Sequence, residues 1–119
     1  MTPLSDRQLL KITREFRRGI LQGACADRMC FAVCAPLQGL LSACGLETEL
    51  IEADFPFMDH VWLKLPDGRI LDSTASQFSD PLHRLPAVYL GPLPAVYRRW
   101  MAEASADEAT SVEARAVSR

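Results

Sequence analysis

The chain has no apolar run approaching the roughly 18 residues that would span a bilayer as a helix. Its opening segment, MTPLSDRQLLKITREFRR, carries charges where a secretory signal would carry its apolar core. A cytoplasmic protein is expected. Charge excess is also missing. The formal net charge is -2, so no global basic field draws the chain to nucleic acid or to anionic lipid. Neither a nucleic-acid partner nor a membrane partner is expected. Histidine is scarce: His60 and His83 are the only two. Cysteine is absent after Cys44, and Cys25, Cys30, Cys34 and Cys44 crowd into one short stretch. A disulfide framework would spread cysteines along the chain to close large loops. Zinc sites favour C-x-x-C pairs with a second ligand pair further on. Here the first spacings are C-x4-C and C-x3-C with no partner pair. Neither a metal nor an organic cofactor is expected. No internal repeat is present, and 119 residues suit one domain with a modest core.

What is there reads first as two helices. Residues 5–21 have Ser5 as a cap and Gln8 three residues on, the capping-box pattern. Leu9, Ile12, Phe16 and Ile20 recur at helical spacing, with Arg14, Arg17 and Arg18 on the other side as a solvated face. Residues 22–27, QGACAD, connect to a second helix expected from about Arg28 to Cys44, with Asp27 as its cap and Gly45 as its stop. Phe31, Leu37, Leu40, Leu41 and Cys44 are apolar at helical intervals. Val33, Cys34 and Ala35 extend the apolar surface almost all round, which predicts a buried helix. Pro36 either kinks this helix or delays its regular part to about Ala35.

Strands are expected over Leu46–Phe55, His60–Leu65, Arg69–Ser73 and residues 87–91, with a short helix over Ala95–Ala104. One domain then covers residues 1–102. The tail from 103 to 119, rich in Ala, Ser, Glu and Arg, is expected to be frayed helix or disordered. The order, two helices followed by three or four antiparallel strands, defines an α+β fold with the cysteine-bearing helix packed on a small sheet.

The stretch DHVWLKLPDGRILDST, residues 59–74, makes a finer prediction. A three-residue hairpin loop is usually a type I turn followed by one left-handed residue. Pro66, Asp67 and Gly68 suit those three positions in order. Leu65 then pairs with Arg69, and Asp72 comes to the same face as His60, diagonally across the ladder and within side-chain reach. A two-residue loop of Asp67 and Gly68 would instead put Asp72 on the opposite face.

A thiol nucleophile needs a lowered pKa, a base within reach and an acceptor to orient that base. Cys30 falls in the first turn of its helix if Asp27 is the cap. His60 is the better-placed base, because His83 lies in a proline-rich loop, and Asp72 can orient it. Backbone N–H groups at the helix start, that of Cys30 included, could supply an oxyanion hole. Gln22 is a further candidate on the substrate side. Trp62 is expected to pack beside the site, either against substrate or as a core aromatic. Gln77 and Phe78 are expected to anchor the loop after Asp72.

A cysteine opening a helix that ends at a glycine, then H-x-W and D-x-T, resembles the transglutaminase-like branch of the papain-like cysteine enzymes. In that family the glycine follows the cysteine by about 15 residues, as Gly45 follows Cys30. The H-x-W stands here as His60-Val61-Trp62, and the L-D-P-T as Leu71-Asp72-Ser73-Thr74, with serine replacing proline. The run DGRILDSTASQF is also similar to that of small bacterial transglutaminase-like proteins. The resemblance covers about residues 22–91. It implies a papain/transglutaminase-like core and a Cys30-His60-Asp72 triad acting on a peptide or protein substrate by hydrolysis or by transfer to an amine. Pro36 departs from the family pattern and keeps Cys34, and more remotely Cys25, as rival nucleophiles. A non-catalytic binding module that retains the fold is the alternative.

Overall fold

The computed structural model describes residues 4–22, 30–78 and 85–117, with the backbone alone for residue 30 and for 107–117. Cys25, Asp27 and His83 lie outside the described residues. Helix α1 spans Asp6–Leu21. Ser5 caps it with both halves of the capping box: Gln8 N–H donates to Ser5 Oγ at 3.1 Å, and Ser5 N–H to Gln8 Oε1 at 2.9 Å. Leu9 and Thr13 are buried, whereas Ile20, assigned from the sequence to the apolar stripe, is 39% exposed. Gln22 ends the helix in the left-handed conformation, with φ of 49°.

Helix α2 is described over Cys30–Ala43 and runs unbroken through Pro36. The proline removes one backbone donor, and the carbonyl it frees belongs to exposed Ala32 on the solvent side, where water can satisfy it. A late start near Ala35 is therefore excluded. Beyond the helix, Gly45 has φ of 90°, Leu46 N–H donates to Leu41 O at 2.8 Å, and Gly45 N–H to Ser42 O at 3.0 Å. These two bonds are the glycine-stop motif that satisfies the last carbonyls. The expectation of an all-round buried helix needs correction. Val33, Cys34, Leu37 and Leu41 are each 0% exposed, but Phe31 is 61% exposed and Leu40 36%. Described elements pack on one side of α2 only, so its outer side meets solvent in spite of its apolar composition.

Four strands follow: β1 Glu49–Asp54, β2 Asp59–Lys64, β3 Ile70–Asp72 and β4 Tyr89–Gly91. They form one antiparallel sheet in chain order. A 3₁₀ turn, Ala75–Phe78, follows β3. Helix α3 spans Ala95–Val117, well past the short helix expected to end at Ala104. Its run of Ala, Glu and Arg favours helix even without an apolar stripe.

The architecture is α+β, with the sheet between two helical layers. On one face Leu63, Leu65 and Leu71 meet Leu9, Leu37 and Leu41 of α1 and α2. On the other, Ala53, Phe55, Trp62, Ile70 and Phe78 meet Tyr97 of α3. Period-two alternation along β2 sends Val61 and Leu63 to the first face and His60 and Trp62 to the second. Among the described residues no helix is long and apolar enough to cross a membrane.

Candidate functional site

The hairpin turn decides which side chains can meet. Leu63 pairs with Leu71 and Lys64 with Ile70. Leu65 N–H donates to Arg69 O at 2.8 Å, and Gly68 N–H to Leu65 O at 3.0 Å. Gly68 has φ of 91°, a conformation that disfavours any side chain. The Asp67 carboxylate accepts from Arg69 N–H at 3.0 Å and stiffens the turn. This is the three-residue loop and the register that Pro66-Asp67-Gly68 predicts.

That register brings His60 and Asp72 together. His60 Nε2 lies 2.6 Å from Asp72 Oδ2, and both side chains are fully buried. Thr74 N–H donates to Asp72 Oδ1 at 3.0 Å, and the Tyr97 hydroxyl donates to Oδ2 at 2.6 Å. Gln77 Nε2 donates to Thr74 Oγ1 at 3.0 Å and stands 3.3 Å from His60 Nδ1. The D-x-T-x-x-Q spacing thus has a physical meaning. Asp72, Thr74 and Gln77 close one hydrogen-bonded loop around the imidazole. Phe78 then sets its ring edge-on to His60, with centroids 4.4 Å apart.

The network also fixes the tautomer. An ionised carboxylate only accepts, so Nε2 carries the proton given to Asp72. In the neutral ring Nδ1 is then a lone pair, and the Gln77 amide faces it with an N–H. Carboxylate, amide and aromatic surround hold the imidazole in one orientation.

Cys34 lies on the other face of the sheet. Its Sγ donates to Val61 O at 3.5 Å and lies 3.3 Å from Ser73 Oγ, and the residue is buried beside Val61. This is the environment of a structural thiol. The position of Cys30 is known from its backbone: it is the first described residue of α2, one turn before Cys34. Cys34 stands level with Val61, and Leu37 and Leu41 share a cluster with Leu63 and Leu65, so α2 and β2 run in the same direction. One turn is about 5–6 Å of rise. The chain at Cys30 is thus about one helical turn from Cys34, on the α1–α2 side of the sheet.

Trp62 is 2% exposed, with its ring 5.7 Å from His60 and 6.3 Å from Phe55. It packs behind the imidazole as a core aromatic. Gln22 is exposed at the end of α1. The sequence reading missed Tyr97, because a tyrosine in a helix more than 20 residues after Asp72 has no local pattern that ties it to the hairpin. Burial pushes the Tyr97 hydroxyl well above the ordinary tyrosine range, and the Asp72 charge beside it adds to the rise. Among the described residues no group of three or more His, Cys, Asp or Glu is disposed to hold a metal ion.

No family model, curated protein or solved structure matches this chain.

Proposed function

We propose that the chain is a cysteine-dependent acyl-transfer enzyme of the transglutaminase-like type, with Cys30 as nucleophile, His60 as base and acid, and Asp72 as the orienting acid. The reading is carried by the buried His60–Asp72 pair, whose tautomer leaves Nδ1 as the proton acceptor. A fully buried histidine on a fully buried carboxylate is a costly arrangement for a scaffold and a suitable one for a general base. Cys30 is preferred to Cys34 because the Cys34 thiol is buried and held by Val61 O and Ser73 Oγ, and because the cap expected at Asp27 would put Cys30 in the first turn, where a thiol has a lowered pKa.

In the proposed reaction the Cys30 thiol gives its proton to His60 Nδ1, displacing the 3.3 Å contact of Gln77. The thiolate attacks the carbonyl carbon of an amide. The C–N bond breaks as Nδ1–H protonates the departing amine, leaving a thioester on Cys30. Nδ1 then takes a proton from water, the oxygen attacks the thioester carbonyl, and the thiolate leaves. An amine in place of water gives transfer instead of hydrolysis. Hydrolysis of an amide in a peptide or protein is the preferred version, since water needs no site of its own.

One observation favours a second reading, a non-catalytic binding module. Phe31 at 61% exposure and Leu40 at 36% give α2 an apolar outer side suited to a protein partner. Reaction with iodoacetamide at pH 6 separates the two. The enzyme reading expects Cys30 to label at least about tenfold faster than the other cysteines, with the preference lost in His60→Ala. Equal, slow labelling of all four thiols would leave only the binding module.

A further inference from the structure

Tyr97 is the one described side chain that α3 sends into the His60–Asp72 pair. Its hydroxyl and His60 Nε2 meet the same carboxylate oxygen, Asp72 Oδ2, each at 2.6 Å. Two short bonds to one oxygen compete for the same negative charge. The phenol ring cannot swing away. It packs against Phe55 at 5.3 Å, Trp62 at 5.6 Å, His60 at 5.6 Å and Trp100 at 6.0 Å, centroid to centroid, and is 0% exposed.

We infer that Tyr97 is a positioning residue that sets the proton affinity of His60 through Asp72. Its hydroxyl draws charge from Oδ2 and so limits how strongly the carboxylate holds an imidazolium. The inference rests on the proposed function only in treating the pair as a working base; the coupling itself is a property of the three side chains.

Beside this pair, from β1 come Ala53, opposite His60, and Phe55, and from the 3₁₀ turn Gln77 and Phe78, all uncharged. Among the described residues, Tyr89, opposite Asp72 on β4, and Cys34 on α2 are titratable neighbours, and both raise the proton affinity of Tyr97. The Tyr89 hydroxyl is engaged elsewhere, donating to Pro92 O, and Cys34 lies on the opposite face of the sheet.

The test is an NMR titration of the His60 ring in the full chain. A His83→Gln background leaves His60 as the only histidine. Tyr97→Phe keeps the ring and removes the donor. The expected result is an upward move of the His60 midpoint by about half a pH unit or more, a threefold gain in proton affinity. In an Asp72→Asn background the same change should leave the midpoint in place.

A second measurement works even if Tyr97→Phe folds poorly. With Tyr89→Phe, Tyr97 is the only tyrosine. Incorporation of 3,5-difluorotyrosine then makes its hydroxyl a stronger donor, and the His60 midpoint should move down. Opposite shifts from the two perturbations support the inference; a purely structural tyrosine would not produce them. A His60 midpoint that stays put or moves the wrong way in either measurement overturns it. Thiol labelling is independent of this outcome. Slow labelling of Cys30 with the shifts intact overturns the enzyme reading alone, and fast labelling without the shifts overturns the role of Tyr97 alone.

Discussion

Asp72 accepts from His60 Nε2, Tyr97 Oη and Thr74 N in a region where all three residues are 0% exposed. Asp72→Ala removes the acceptor and leaves those donors buried without it. The expected loss is about 3–5 kcal/mol of folding stability, read from urea denaturation at pH 7. Asp72→Asn keeps the shape and one carbonyl oxygen, so its loss should be clearly smaller. Equal losses would mean that packing, not acceptance, is what the position supplies. At this scale the sequence was readable wherever partners are near in the chain. His60 and Asp72 are joined by one turn, and Thr74 and Gln77 follow in the same loop. Tyr97 was not readable, because the link between it and Asp72 exists only after α3 folds across the sheet. The exposure of Phe31 was hidden for a related reason. Composition says that a side chain is apolar, while the number of neighbouring elements says whether anything covers it.

The hairpin is the element that converts local turn chemistry into side-chain placement. Gly68 has φ of 91° with nothing within 4 Å of where a Cβ would sit. Gly68→Ala therefore meets backbone strain and no clash. It should cost about 1–2 kcal/mol, measured as a lowered midpoint of thermal or urea unfolding, with the His60–Asp72 register retained. Deleting Pro66 is a different experiment, because it shortens the loop and sends Asp72 to the face opposite His60. At the β1–β2 turn, Asp54 and Asp59 face each other across the ladder. The hydrogen bond and charge of Asp54 raise the Asp59 pKa. Like charges there oppose pairing at neutral pH, so Asp59→Asn should raise the melting temperature at pH 7 and matter less below the ordinary Asp pKa. Strand existence and order were legible from alternation, and α1 from its cap. The ends of β1 and α3 were less so, since no stop residue marks them.

For the molecule as a whole, the sheet is covered on one face by α1 and α2 and on the other by α3. The second cover sets an alkaline limit. Tyr97 has its pKa raised by burial and by Asp72. The folded state therefore keeps a proton that the unfolded chain releases near pH 10. Its contribution to stability is complete below that pH and is lost as pH rises from there toward the folded pKa, at up to about 1.4 kcal/mol per unit. Tyr89 is raised in the same direction by its partial burial. Tyr97→Phe should flatten the fall in urea midpoint between pH 10 and 11.5. An unchanged slope would show that Tyr97 ionises as freely in the fold as out of it. The dependence on α3 also gives the chain a direction in time. Synthesis runs from the amino end, so His60, Asp72, Thr74 and Gln77 emerge before Tyr97. A nascent chain can close the hairpin early, but its carboxylate lacks one donor and its aromatic cover until α3 arrives. The His60–Asp72 pair thus reaches its finished surroundings only after α3 has emerged and docked.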